Sequence, residues 1–194
     1  MSFGGEIMHE ANNKQNNKQT RMSIERVKEM IRTVPDFPKP GISFKDITPI
    51  LQDPSAFKFV IKQMAVPFKN KEVDIIASAE SRGFILGAAL AYELGAGFVP
   101  LRKPGKLPYR TLREEYKLEY GTDAFEMHVD GIRKGDNVLI VDDVLATGGT
   151  MKAAVNLVRK LSGNIAGIAL LIELDELNGR KKLKGIPVYS LLKI

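Results

Sequence analysis

A chain of 194 residues, 44% hydrophobic and 27% charged, has the make-up of a soluble globular protein with one substantial core. Its net charge of +6 favours anionic partners, and small phosphorylated molecules, nucleic acid and membrane headgroups all stay open at this level. The sequence has no cysteine, which excludes disulfides and thiolate metal sites, and its two histidines, His9 and His128, leave little for an imidazole metal site or a Ser-His-Asp triad. No apolar run reaches the ~20 residues of a membrane span, and the start lacks a basic-then-apolar signal pattern. A cytoplasmic protein with no membrane partner is expected.

Residues 1–21 contain ANNKQNNKQTR, a polar stretch with almost nothing to bury, which predicts a flexible tail ahead of one domain over 22–194. Ser23 as N-cap, with Ile24, Val27, Met30 or Ile31 and Val34 at helical spacing, predicts a helix that Pro35 stops. Pro35, Pro38, Pro40, Gly41 and Pro49 predict a shaped loop over 35–49 without regular structure. Asp53 then caps a second helix with Pro54 at its first position and Phe57, Val60, Ile61, Met64 and Phe68 on one apolar face.

From Val73 onward short apolar runs alternate with helices, the pattern of a parallel sheet covered on both faces. Strands are predicted at 73–78, 97–101, 137–142, 165–172 and 187–192, and helices at 83–94 and 149–162, with Gly95 and Gly163 as left-handed caps. The fold class is therefore α/β, a mostly parallel, doubly wound sheet flanked by helices. Residues 102–121, RKPGKLPYRTLREEYKLEYG, form a long charged connection that predicts a flexible lid, from which a strand bearing Phe125, Met127 and Val129 returns.

The most informative stretch is Asn137 to Thr150, NVLIVDDVLATGGT. An apolar strand delivers Asp142 and Asp143 to its carboxyl end, where ligands of open α/β sheets bind. Ala146, Thr147, Gly148, Gly149 and Thr150 then turn into a helix, so that backbone N–H groups, two hydroxyls and the positive helix end form a cradle for phosphate. No lysine follows the glycines, so the loop is not that of a P-loop nucleotidase. Paired carboxylates beside a phosphate cradle can accept hydrogen bonds from sugar hydroxyls or hold Mg²⁺ directly or through water, and a sugar phosphate satisfies both halves.

This stretch closely resembles the motif with which type I phosphoribosyltransferases bind 5-phosphoribosyl 1-pyrophosphate (PRPP). The resemblance to the adenine phosphoribosyltransferases of that family runs from about Asp36 to the C-terminus, through DFPKPGISFKDITPIL, ESRGF, RKPGKLP, LEYG and IELDELNGR. It implies that the 5-phosphate sits in loop 146–150 and that the ribose hydroxyls face Asp142 and Asp143. Glu80, Ser81 and Arg82 resemble the family's pyrophosphate loop, which often holds a non-proline cis peptide, and Arg102, Lys103 and Lys106 its PRPP-contacting cations. Glu119 matches the lid glutamate that handles the N9 proton or the developing charge. Phe44 resembles the residue that stacks on the base, backbone groups near Ser43 would read its exocyclic amine, and Leu174 would close its other face. Ser43 and Lys45 stand where one common form of the pattern has an aliphatic residue and an arginine.

The activity so implied joins PRPP and adenine to give AMP and pyrophosphate, with Mg²⁺ as cofactor held mainly through PRPP and water, in a homodimer without a nucleic-acid partner. Two alternatives share the motif. One is a phosphoribosyltransferase for another purine such as xanthine or hypoxanthine, whose oxo group accepts where adenine donates. The other is a PRPP-sensing regulator, against which stands a polar tail too short for a DNA-binding domain.

Overall fold

A computed structural model describes residues 22–117 and 122–194. The predicted tail over 1–21 and Leu118-Glu119-Tyr120-Gly121 lie outside the described residues. The chain divides into two compact units at Ala56 and Phe57.

In the first unit, helix α1 (Ile24–Glu29) starts as expected, with Ser23 Oγ accepting from Arg26 N at 3.2 Å. It is shorter than its periodicity predicts. Arg32–Val34 is strand β1, antiparallel to β2 (Phe44–Asp46), with Val34 opposite Phe44. Thr33 and Val34 are β-branched and find partners across the proline loop, a pairing that spacing along one segment cannot reveal. The loop predicted over 35–49 therefore contains β2 and the start of helix α2 (Thr48–Gln52). Asp46 organises that start, its Oδ1 accepting from Thr48 N at 2.9 Å and Thr48 Oγ1 at 2.6 Å. Helix α3 (Pro54–Ala65) begins as read, and Asp53 Oδ1 accepts from the N–H groups of Ser55 and Ala56, both at 2.8 Å.

The second unit carries the parallel sheet. Its strands are β3 (Ile75–Ala79), β4 (Gly97–Leu101), β7 (Asn137–Leu145), β8 (Asn164–Glu173) and β9 (Val188–Lys193), in the order β4-β3-β7-β8-β9. All four neighbouring pairs are parallel. After β4 the chain crosses back over β3 to lay down β7, so the winding reverses between β3 and β7, and the carboxyl ends of those strands open a crevice. Helix α4 (Arg82–Leu94) packs on β3 and β7, where Gly87 lets it approach so closely that an added Cβ would stand 2.6 Å from Ser78 Cβ. The opposite face belongs to helix α5 (Gly149–Lys160), whose Met151, Val155 and Val158 join Ala77, Val138, Ile140 and Ile168 in one core.

Between β4 and β7 lies an antiparallel hairpin, β5 (Thr111–Lys117) and β6 (Thr122–His128). Within the segment 102–121 expected to be a flexible lid, Thr111–Lys117 thus forms a strand. Tyr116, Phe125 and Met127 are buried in the same core as α5, which supplies the apolar partners that a charged sequence conceals. Glu114 fastens the hairpin to α5, accepting from Lys160 Nζ at 2.6 Å and Asn156 Nδ2 at 2.7 Å.

Two further details differ from expectation. Gly95 is left-handed at the end of α4, with φ of 69°, but after α5 the left-handed residue is Ser162, at φ 62°. Gly163 serves space instead, since a Cβ there would lie 3.0 Å from both Ile132 Cγ2 and Val158 Cγ1. Strand β7 also continues past the paired acids to Leu145 because β8 keeps pairing with it as far as Glu173.

Candidate active site

Pairing of β3 with β7 ends at Ser78 and Val141, whereas β8 follows β7 to Leu145. Asp142 and Asp143 therefore stand just beyond the last β3–β7 pair, in the notch of the sheet. Both are buried, at 8% and 5% exposure. Asp142 Oδ1 accepts from Asp143 N at 2.9 Å. Burial, and then the neighbouring charge of Asp143, pushes the Asp142 carboxyl well above the ordinary range. Burial also raises Asp143, against the pull of Arg82.

Arg82 starts α4 and reaches across the notch, with Nη2 2.8 Å from Asp143 Oδ2. That approach is ionic by distance, because the same buried Oδ2 has no aligned hydrogen-bond donor among the described residues. One position further, Gly83 makes the approach possible: a Cβ there would lie 2.6 Å from Asp142 Oδ1 and 3.4 Å from Asp142 Cα.

The Glu80–Ser81 peptide is cis, as the resemblance implies. Glu80 faces the end of β4, where Arg102 Nε donates to its Oε2 at 2.8 Å and Lys103 N to its Oε1 at 3.0 Å. Burial alone would raise this carboxyl, but those hydrogen bonds and the two cations hold it below its ordinary value. Arg102 Nη1 also donates to Lys106 O at 3.2 Å, while the Lys106 side chain is exposed. Lys103 is engaged elsewhere. Its Nζ donates to Tyr116 OH at 2.8 Å, pairs with Asp123 and lies 4.9 Å from the Phe125 ring centre, so it fastens the hairpin.

Beyond the acids, Ala146 and Thr147 lead to Gly148, which caps α5 at φ 79°, and to Gly149 and Thr150 in its first turn. The turn that follows β8 backs this loop. A Cβ on Gly148 would stand 2.4 Å from Gly179 O, and one on Gly179 would stand 2.1 Å from Ala146 O. Gly179, Arg180 and Glu173 are not among the site residues that the sequence predicts, although all three stand within the IELDELNGR stretch. Their spacing carries no phosphate-loop pattern, and only the packing shows what they touch.

Glu173 accepts from Arg180 Nε at 2.8 Å and from Ser190 Oγ at 2.7 Å, and pairs with Arg180 Nη2 as well. The Arg180 hydrogen bonds lower its pKa from 4.5 to about 2 against a smaller effect of burial. A depressed carboxylate contributes stability that is fully present above pH 4.5 and lost as pH falls through about 2. Glu173→Gln is therefore expected to flatten the pH dependence of unfolding free energy in that window, read by denaturant melts from pH 5 downward. An unchanged slope would contradict the assignment.

Ser43, Phe44 and Lys45 belong to the first unit. Phe44 meets Phe37 edge to face at 5.1 Å between ring centres, Lys45 Nζ donates to Thr33 Oγ1 at 3.1 Å, and Ser43 is exposed. Leu174, in the second unit, is half-buried and donates its N–H to Leu145 O at 2.9 Å. Glu119 lies outside the described residues.

Among the described residues no cluster of three or more His, Cys, Asp and Glu side chains could hold a metal ion. Two adjacent carboxylates, with Asp143 Oδ2 ion-paired to Arg82 but accepting no hydrogen bond among the described residues, would suit a Mg²⁺ ion that keeps most of its ligands from water and substrate.

Residues 49–194 match the model of the phosphoribosyl transferase domain family. The adenine phosphoribosyltransferase of Thermoanaerobacter sp. strain X514 is 55% identical over 172 residues, covering 89% of this chain and 99% of the relative. The crystal structure of adenine phosphoribosyltransferase from Rhodothermus marinus superposes with a TM-score of 0.86 at 55% identity, covering 88% of this chain and 98% of that one. The Saccharomyces cerevisiae enzyme, crystallised with adenine and an imino-altritol bisphosphate, does so at 0.82 and 42% identity, covering 87% and 98%. Identity at this level along nearly the whole length of these proteins, on a shared fold, places the chain in the phosphoribosyltransferase family, among the adenine phosphoribosyltransferases.

Proposed function

We propose that the chain transfers the 5-phosphoribosyl group of PRPP to N9 of adenine, forming AMP and pyrophosphate in purine salvage. The observation that carries this reading is the convergence at one notch of loop 146–150, the buried Asp142–Asp143 pair and the Glu80–Arg82 turn, with Arg82 2.8 Å from Asp143. Loop 146–150 would take the 5-phosphate on its N–H groups and the hydroxyls of Thr147 and Thr150. Asp142 and Asp143 would accept from the ribose hydroxyls, which fixes C1′ relative to the attacking base.

The departing group is a concentrated anion, so its stabilisation dominates the barrier. Arg82 and Arg102 stand ready for it, each held by a carboxylate that the pyrophosphate can displace. Lys106, exposed on the same turn, adds positive charge. Lys103 contributes through its backbone N–H and the hairpin it anchors. Mg²⁺, held mainly by PRPP and water next to the paired acids, supplies further neutralisation of the leaving group when bound. The family resemblance gives Glu119 the N9 proton or the developing charge, and gives Phe44 the role of stacking on the purine.

We further propose a cytoplasmic homodimer. Helix α4 leaves Ile85 45% and Tyr92 93% exposed on one face with Ala88, an apolar stripe that a second copy would cover. Light scattering at twice the monomer mass is the expected result.

The reaction is tested by following pyrophosphate release from PRPP and Mg²⁺ with adenine, hypoxanthine, guanine and xanthine offered separately. Release with adenine alone is expected. Release with an oxo purine instead would transfer the reading to that base, and PRPP binding without release for any base would favour a sensor of PRPP.

A further inference from the structure

We propose that Arg180 is a positioning residue for the phosphate loop, acting with Glu173 through the turn that carries Gly179. The inference rests on reading loop 146–150 as the site of the 5-phosphate. Gly148 and Gly149 let that loop curl, but two adjacent glycines also give it many competing conformations, and a phosphate that had to order them would bind weakly. Something must hold the loop in its binding form.

Gly179 does so from behind. Its added Cβ would fall 2.1 Å from Ala146 O and 2.9 Å from Gly148 N, and the reverse contact, from Gly148 to Gly179 O, is 2.4 Å. The two backbones lie against each other with no room for a side chain on either. The loop therefore sits where the Gly179–Leu183 turn lets it sit.

The turn is in turn tied to the sheet by the next residue. Arg180 uses the fork of its guanidinium fully, with Nε and Nη2 on the two oxygens of Glu173 and Nη1 donating to Val188 O at 2.8 Å. Glu173 ends β8, is 4% exposed and also accepts from Ser190 Oγ on β9 at 2.7 Å. Two adjacent parallel strands thus grip one side chain, and that grip places Gly179 against Ala146 and Gly148. A lysine could supply the charge but not three contacts in a fixed plane.

The readout is affinity for the phosphate end of the substrate, separate from the base and from overall stability. Isothermal calorimetry with ribose 5-phosphate, and KM for PRPP and for adenine, would be measured for wild type, Arg180→Lys, Gly179→Ala and the double variant. We expect Arg180→Lys to weaken ribose 5-phosphate binding and raise KM for PRPP about tenfold, with KM for adenine within about twofold. The double variant should be no worse than Gly179→Ala alone, because both changes act on the same loop. If Arg180→Lys does not fold, Ser190→Ala, which leaves the guanidinium pair intact, should give a smaller shift of the same kind. Wild-type affinity for ribose 5-phosphate in a folded Arg180→Lys, or in Ser190→Ala where that variant stands in, overturns the proposal, as does equal weakening toward adenine. Failure of the wild type itself to bind ribose 5-phosphate would instead overturn the reading of loop 146–150.

Discussion

Asp143→Asn is expected to lower kcat/KM for PRPP by at least about a hundredfold while leaving the melting temperature unchanged or higher. The variant keeps the shape of the side chain and removes its charge. Two interactions disappear, the proposed hydrogen bond from the ribose hydroxyls and the ion pair with Arg82, and a hydrogen bond to a charged group is by itself worth roughly 1.5–3 kcal/mol. Arg82, now 2.8 Å from the carboxylate, loses what aims it across the notch.

Stability should move the other way. The Asp142 and Asp143 carboxyls are both raised by burial, so each costs the folded state free energy once pH passes the unfolded value near 3.8. That penalty grows as pH rises toward their folded values, and removing one charge relieves it along with the repulsion on the other. Activity assays paired with thermal melts at pH 7 separate the two effects. A variant as active as wild type would remove Asp143 from the site, and one that melts much lower would make it a structural residue.

Gly83→Ala is the second large effect. Its Cβ would meet Asp142 Oδ1 at 2.6 Å, Ser78 Oγ at 3.0 Å and Asp142 Cα at 3.4 Å. The two short contacts are with buried side-chain oxygens that are already engaged, Asp142 Oδ1 accepting from Asp143 N and Ser78 Oγ donating to Val141 O, so neither turns aside without losing its bond, and α4 must back away from the sheet. Overpacking of this kind costs about 1–3 kcal/mol. Retreat of α4 also carries Arg82 away from Asp143, and a displacement of about 1 Å at a reacting centre can cost roughly a hundredfold in rate.

Gly95→Ala provides the comparison. A Cβ there meets nothing within 4 Å, but the backbone is left-handed at φ 69°, so only conformational strain of roughly 1–2 kcal/mol is expected. Melting temperature should fall in both variants and kcat/KM in Gly83→Ala alone. Equal kinetics would show that the contact between α4 and Asp142 has no part in the site.

The order of the elements was legible because a parallel sheet covered on both faces writes itself as short apolar runs, and β7 with Asp142 and Asp143, followed by the glycine loop, is one uninterrupted local pattern. Local chemistry likewise marked Ser23 and Asp53 as caps, since a capping side chain bonds to N–H groups two or three residues away. Features made by partners distant in sequence were not legible. Val34 became a strand because Phe44 lies opposite, and the hairpin of β5 and β6 became regular because α5 covers it. Lys103, one cation among several in the sequence, is claimed by Asp123 and Tyr116 twenty and thirteen residues on.

The sequence by itself determined the chemistry available: two adjacent acids, a phosphate loop of threonines and glycines, and cations enough for a charged leaving group. Tertiary structure alone decided which groups meet. Arg82 reaches Asp143 because the sheet reverses its winding between β3 and β7, and Gly179 backs Gly148 because Glu173 holds Arg180. Periodicity and capping act within a few residues, whereas these contacts join segments whose proximity exists only once the strands have been laid side by side.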